Sequence, residues 1–386
     1  MERATESLMQ FNVKPAPHMV RGRGSFLWDT TGKRYLDFVQ GWAVNCLGHS
    51  PELLSRALHV QLQEVLHVGA AFHNAPSHAL ATRLAEVSDL PRVFLSSSGA
   101  EANEAAVKLA RKWGQLHRAG AYEVITAHES FHGRTLAMSS ATGKAGFATA
   151  FPPQIAGFPK VPFGDLEALE QTITERTVAV MVEPIQGEAG AVMPPLGYLS
   201  ALRALCDRRG LLLILDEIQT GMARTGPLFA HEAEQARPDI LTLGKGLGVG
   251  LPVSAMLARE EVACFARGDH GGTFIGHALL SAGALAVLER LLSAEHTALR
   301  EASASTLERT LRELAAQHGL GLRGRGHLWA LVLPSARAES VRDDCFERGL
   351  LINAARPDLL RLMPALDVGD EEIASMRELL SAALAA

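Results

Sequence analysis

Six short apolar runs divide the middle of the chain into a regular alternation. Residues 93–95, 122–126, 178–182, 211–215, 240–242 and 252–257 carry almost no charge. Runs of this length, bounded by glycine and polar residues, read as strands buried on both faces of a sheet. Between them the apolar residues recur every three to four positions. Residues 101–114 are strongly amphipathic, and 199–210 ends on Gly210, a helix stop. Strand and helix in alternation predict a mostly parallel central sheet with helices on both faces, an α/β fold.

The flanks differ. Residues 51–65 and 79–90 carry helical patterns. Residues 25–39 read as a hairpin, with 26–28 and 34–38 on either side of Asp29-Thr30-Thr31-Gly32. Residues 1–24, with Pro15, Pro17, Gly22 and Gly24, read as an irregular arm. Beyond residue 274 come two long helices, 278–292 and 295–318, two short strands, 323–333 and 350–353, and a terminal helix, 370–384. The expected division is a large α/β domain over 51–274 and a smaller α+β domain over 275–386, which residues 1–50 join.

Composition narrows the partners. The 386 residues are 47% hydrophobic and 20% charged, with a net charge of −5 and no long basic run. Nucleic acid and anionic membrane are therefore poor partners. Cys46, Cys206, Cys264 and Cys345 lie far apart with no C-x-x-C pair. No metal site is expected, and a reducing cytoplasm fits. No signal-peptide core is expected in the first residues, and no apolar run approaches the roughly 18–20 residues that span a bilayer.

The chemistry gathers at strand exits, where open α/β sheets bind ligands. The run 211–215 leads into Asp216, Glu217 and Gln219, and Lys245 follows 29 positions after Asp216, fenced by Gly244 and Gly246. A strand ending in Asp-Glu suits a phosphate-loop ATPase, but no G-x-x-x-x-G-K-[ST] precedes it. A lysine paired with an aspartate suits pyridoxal phosphate, which bonds to the lysine while the carboxylate faces its ring nitrogen. Ser98, Gly99 and Ala100 sit between a strand and a helix, as a phosphate seat or as a plain helix cap. Beyond 122–126 come Phe131, His132 and Arg134. Phe131 is suited to stacking on a flat ring or to the core, and Arg134 to a carboxylate or to solvent. His132 is suited to a structural hydrogen bond.

Together these segments resemble the class III (subgroup II) pyridoxal-phosphate-dependent aminotransferases. The resemblance is carried by LDFVQGWAVNCLGHSP (36–51), SSGAEANEAAVKLAR (97–111), SFHGRTLA (130–137), EPIQGEAG (183–190), LLILDEIQTGMARTG (212–226), PDILTLGKGLG (238–248), GGTF (271–274) and RGRGHLWAL (323–331), in the family's order over nearly the whole chain. It implies the pyridoxal-phosphate fold type I, Lys245 as the cofactor's covalent partner and Asp216 at its ring nitrogen. By the same resemblance Gln219 lies near the phenolic oxygen, Phe131 stacks on the ring, and Ser98, Gly99 and Ala100 hold the phosphate. Thr273 reaches the phosphate of a neighbouring subunit, which implies a homodimer with sites at the interface. Arg134 and Arg361 take substrate carboxylates, and Glu188 masks an arginine between half-reactions. Within the family the chain resembles the branch acting on N2-acetylornithine with 2-oxoglutarate.

Some positions depart from the family. Phe274 is followed by Ile275-Gly276-His277-Ala278-Leu279 where Asn-Pro-Leu is usual, and Asn74-Ala75-Pro76 replaces Asn-Glu-Pro. Ala223 and Val249 stand where glycine is usual. Succinylornithine, ornithine, 4-aminobutyrate or another diamine stay open as donors. A racemase, aminomutase or decarboxylase on this fold, and a non-catalytic paralogue that binds the cofactor, also stay open.

Overall fold

The computed structural model describes residues 7–9 and 17–386. The first part of the expected arm, residues 1–6 and 10–16, lies outside the described residues. The rest is not irregular: Met19–Arg23 forms strand β1, paired antiparallel with β2 (Phe26–Asp29), which pairs with β3 (Arg34–Asp37). Proline and glycine around β1 obscured an edge strand, where half the backbone groups need no ladder partner.

The central sheet contains β4 (Arg92–Ser96), β5 (Glu123–Ala127), β6 (Lys160–Val161), β7 (Thr177–Val182), β8 (Leu212–Asp216), β9 (Ile240–Leu243) and β10 (Ser254–Ala258), in the order β4-β10-β9-β8-β7-β5-β6. The run β9-β8-β7-β5-β6 is parallel, and β10 runs against both its neighbours. The two-residue β6 and the helices Leu136–Ala141 and Leu166–Thr172 add to the predicted alternation. They are too short to leave a periodic signal.

The sheet is buried on both faces, and side chains alternate between them. Leu213 and Leu215 enter one core with Leu80, Leu84, Leu202 and Leu205, while Leu212 and Ile214 enter another with Ala105, Ala106 and Leu109. Each fully buried leucine contributes roughly 1.5–3 kcal/mol by removal from water.

The smaller half holds a second sheet, β11 (Gly321–Arg325), β12 (Leu328–Val332), β14 (Asn353–Arg356) and β15 (Leu359–Leu362), in the order β11-β12-β15-β14. The run 323–333 is thus a hairpin and not a single strand, because Gly326-His327 turns the chain back. The run 350–353 splits likewise: β13 (Leu350–Leu351) pairs with β3, and β14 pairs with β15. β15 and the helix Ala338–Glu347 were not expected, since Arg361 interrupts the apolar run in β15.

Pairing of β3 with β13, and a core that joins Leu36 and Phe38 to Leu331, Leu350 and Leu362, link residues 25–39 to the smaller half. The helix Ala278–Leu292 instead gives Ala284, Val287, Leu288 and Leu291 to the large core. We propose that the domain boundary follows Leu292, not residue 274. An amphipathic pattern shows that a face is buried, not against what.

Candidate active site

Every parallel strand from β5 to β9, apart from the edge strand β6, ends at one cavity of about 290 Å³. It is lined by Gly99, Ala100, Phe131, His132, Gly133, Arg134, Glu183, Glu188, Asp216, Ile218, Gln219 and Lys245. That volume is at the lower end of small-molecule sites, roughly 300–1,000 Å³.

Asp216 terminates β8, 4% exposed. Its Oδ2 accepts from Asn103 Nδ2 at 2.8 Å and lies 2.8 Å from His132 Nδ1, and its Oδ1 accepts from the Ile218 N–H at 3.1 Å. Asn103 is itself fixed: it donates to His132 O at 2.8 Å and accepts from Thr242 Oγ1 at 2.7 Å. The carboxylate is thus aimed by groups from β9, the helix Gly99–His117 and the loop after β5. Asn103 and Thr242 were not singled out from sequence. The available signal was an asparagine on the buried face of that helix, among Ala102, Ala105 and Ala106. His132 has the structural hydrogen bond expected of it.

Lys245 follows β9 with φ of 42°, a left-handed conformation that costs a non-glycine residue roughly 1–2 kcal/mol. Such strain persists where surrounding structure enforces it. Burial lowers the pKa of its ammonium, and among its charged neighbours Glu188 opposes that shift while Arg361 adds to it.

Glu188 Oε1 lies 2.8 Å from Arg361 Nη1. Arg361, on β15 and 1% exposed, also donates to Gly187 O at 2.6 Å and to Asn353 Oδ1 at 3.2 Å. Burial alone would raise the Glu188 carboxyl, but Arg361 and then Lys245 outweigh it and hold the group down at about 2. The arginine is therefore covered by a carboxylate that faces the cavity. Arg134 stands at the rim, its guanidinium 5.8 Å from the centre of the Phe131 ring and 5.4 Å from that of Phe147.

Two candidates lie elsewhere. The Ser98 hydroxyl accepts from the Glu101 N–H, and the Glu101 carboxylate accepts from the Ser97 and Ser98 N–H groups. Ser98 thus caps the helix, and only Gly99 and Ala100 of that turn line the cavity. Thr273 is exposed and is not among the lining residues.

Glu183 is a further lining residue that sequence reasoning left without a role. Its carboxylate accepts from the Phe131 N–H at 3.0 Å and the Gly187 N–H at 3.3 Å, and burial pushes it up to about 7.

The residues present fit pyridoxal phosphate. Both polar atoms of the Gln219 side chain are buried without a partner among the described residues. Gly187 leaves that amide its room, since a Cβ there would fall 1.6 Å from Gln219 Oε1. The amides of Gly99 and Ala100 open the first turn of a 19-residue helix, where N–H groups and dipole favour a phosphate. Phe131 offers a ring face, and Asp216 and Lys245 line the same cavity. A nearly parallel sheet with this pair at its carboxyl edge defines a pyridoxal-phosphate-dependent enzyme of fold type I.

Comparison with known proteins narrows the class. The family model for aminotransferase class-III matches residues 10–384. Acetylornithine aminotransferase 2 of Bordetella bronchiseptica is 48% identical over 384 residues, covering 98% of this chain and 97% of its own. The ornithine aminotransferase of Toxoplasma gondii superposes with a TM-score of 0.95 at 31% identity, over 100% of this chain and 94% of that one. The N-acetylornithine aminotransferase of Stenotrophomonas maltophilia superposes with a TM-score of 0.84 at 36% identity, over 96% of each chain. The chain belongs to the class-III aminotransferases.

Proposed function

We propose that this enzyme moves the δ-amino group of N2-acetylornithine to 2-oxoglutarate, giving N-acetylglutamate 5-semialdehyde and glutamate, a step of arginine synthesis. The observation that carries the reading is the Glu188–Arg361 pair beside Lys245. An ω-amine donor brings no carboxylate to the reacting end, so Arg361 must then be masked. A 2-oxo dicarboxylate brings one, beside its oxo carbon, so Arg361 must then be free. A carboxylate that covers the arginine from the cavity side serves both needs. The choice of donor is supported by the 48% identical relative that acts on acetylornithine.

Bound pyridoxal phosphate supplies an electron-withdrawing ring that stabilises the charge left when the substrate carbon loses its proton. The protein residues supply the rest. Asp216, held by Asn103 and His132, sets a negative charge at the ring nitrogen. Gly99 and Ala100 would hold the phosphate, Phe131 would pack on the ring and Gln219 would face the phenolic oxygen. Arg134 takes the distal carboxylate of either substrate at the rim. Lys245 Nζ first holds the cofactor and, once displaced, accepts the proton from the substrate carbon and later returns one. Its depressed pKa raises the neutral fraction that can do so. Glu188 leaves Arg361 when the acceptor's carboxylate arrives.

The reading includes a homodimer, in which Thr273 of one subunit reaches the phosphate site of the other, and a cytoplasmic location, in keeping with four free cysteines. No helix among the described residues is long and apolar enough to cross a membrane.

The test is the visible absorption of the purified protein with its cofactor. N2-acetylornithine added without acceptor is expected to bleach the band, 2-oxoglutarate to restore it, and Lys245→Ala to lose both responses. A band that ornithine or 4-aminobutyrate bleaches, and N2-acetylornithine does not, would sink the donor assignment.

A further inference from the structure

The loop after β8 carries an arginine that no step above uses. Arg224 is 2% exposed, yet its hydrogen bonds go to main-chain carbonyls: Nη1 donates to His327 O at 3.2 Å and to Pro364 O. Burial lowers its pKa to about 10, which leaves it a cation at neutral pH. Burying a charge without a counter-charge is strongly unfavourable, so its position needs a reason.

Three segments meet at this residue. The first is its own loop, which descends from Asp216 and Gln219. The second is the β11–β12 turn: the His327 N–H donates to Arg224 O at 2.9 Å, and Arg325 Nε donates to Thr225 O at 2.9 Å. The contact is close enough that a Cβ on Gly326, where φ is +64°, would fall 2.8 Å from Arg224 O. The third is the exit of β15, where Pro364 follows Arg361 by three positions. Two residues on, the Leu366 N–H donates to Cys46 O at 2.8 Å, and Cys46 Sγ lies 3.3 Å from the carbonyl of Gly246, the neighbour of Lys245. Arg361 stands on β15 of the smaller sheet and Lys245 just past β9 of the central sheet, and this buried junction ties their supports together. Arg134 stands on the loop after β5, outside the junction.

We propose that Arg224 is a positioning residue for the acceptor half-reaction: it fixes Arg361 relative to Lys245, so that a dicarboxylate is held with its reacting carbon at the lysine. The inference rests on reading Arg361 as the arginine that Glu188 uncovers for the acceptor. It predicts a selective defect. The donor is held at Arg134 while Glu188 still covers Arg361, so loss of Arg224 leaves donor binding nearly intact and weakens dicarboxylate binding.

The probe is glutarate, a dicarboxylate with no oxo group, titrated calorimetrically into the cofactor-loaded protein. Turnover with N2-acetylornithine and 2-oxoglutarate is measured alongside. Arg224→Gln is expected to raise the glutarate Kd and the 2-oxoglutarate KM about tenfold or more, with the donor KM within about twofold. Arg224→Lys, which keeps the charge but not the planar reach, is expected to restore part of the loss. Should Arg224→Gln not fold, Gly326→Ala displaces the same junction from the turn and is expected to weaken glutarate in the same way. Glutarate bound as tightly by the variants as by the unaltered enzyme would overturn the proposal, as would equal losses for donor and dicarboxylate. If the unaltered enzyme itself fails to bind glutarate, the reading of Arg361 falls and the proposal falls with it.

Discussion

At the scale of single residues, this site is governed by where charge is buried. Glu188 and Glu183 both stand past the end of β7, and their surroundings push them apart. Arg361 keeps Glu188 charged, whereas Glu183 has only N–H donors at hydrogen-bonding distance, and burial dominates there. A carboxyl raised from 4.5 to about 7 binds a proton more tightly in the folded chain than in the unfolded one. Its contribution to stability is therefore complete below about pH 4.5 and is lost as the pH rises through about 7. The shift corresponds to a change on the order of 3 kcal/mol. Glu183→Gln is expected to remove it. Thermal melts of the cofactor-free protein at pH 5 and pH 8 should differ less for the variant than for the original chain. An unchanged pH slope would mean that Glu183 is charged throughout.

At the scale of elements, the strained turns surround the lysine. Val249 sits at φ 48° and Ala223 at 64°, and the family resemblance places glycine at both. A β-branched residue in the left-handed region is a clear outlier, at roughly 1–2 kcal/mol. Val249 is also 5% exposed within the large core, so its side chain offsets part of that cost by packing. Val249→Gly is expected to leave the cofactor spectrum unchanged. Its effect on stability should be small, within about 1 kcal/mol of zero, because strain relief and lost burial oppose each other. Denaturant midpoints check this, and a loss near 3 kcal/mol would show that packing outweighs strain. The helix Gly99–His117 shows the same division of labour. Its Ser98–Glu101 box satisfies the first amides, and the amides of Gly99 and Ala100 are left for the phosphate.

At the scale of the molecule, one chain lines most of the cavity but does not bring Thr273 to it. Phe274, at 60% exposure, and Phe72, at 72%, are large apolar residues left at the surface. Ring stacking of His67 on His277 at 4.7 Å shapes the loop that departs from the family pattern. In the proposed homodimer this surface is covered. Light scattering is expected to give twice the 41.3 kDa chain mass. A mixture of Lys245→Ala and Thr273→Ala subunits is expected to recover activity that neither has alone in full. A monomer with full cofactor affinity would contradict the interface reading.

The fold class followed from periodicity alone, because buried parallel strands and amphipathic helices each leave a local pattern. The pairing of Lys245 with Asp216 was also legible, since both close apolar runs and strand ends are where α/β sheets place chemistry. The role of Ser98 was not: a serine before a helix looks the same whether it caps or binds. Asn103, Thr242 and Glu183 were silent for a related reason, as a polar residue in an apolar stripe shows burial but not its partner. The family resemblance implied that Glu188 masks an arginine, but only the tertiary structure gave the contact with Arg361 across 173 positions its geometry and set the Arg224 junction beneath it. Sequence specifies which groups must be buried, and packing decides which of them meet.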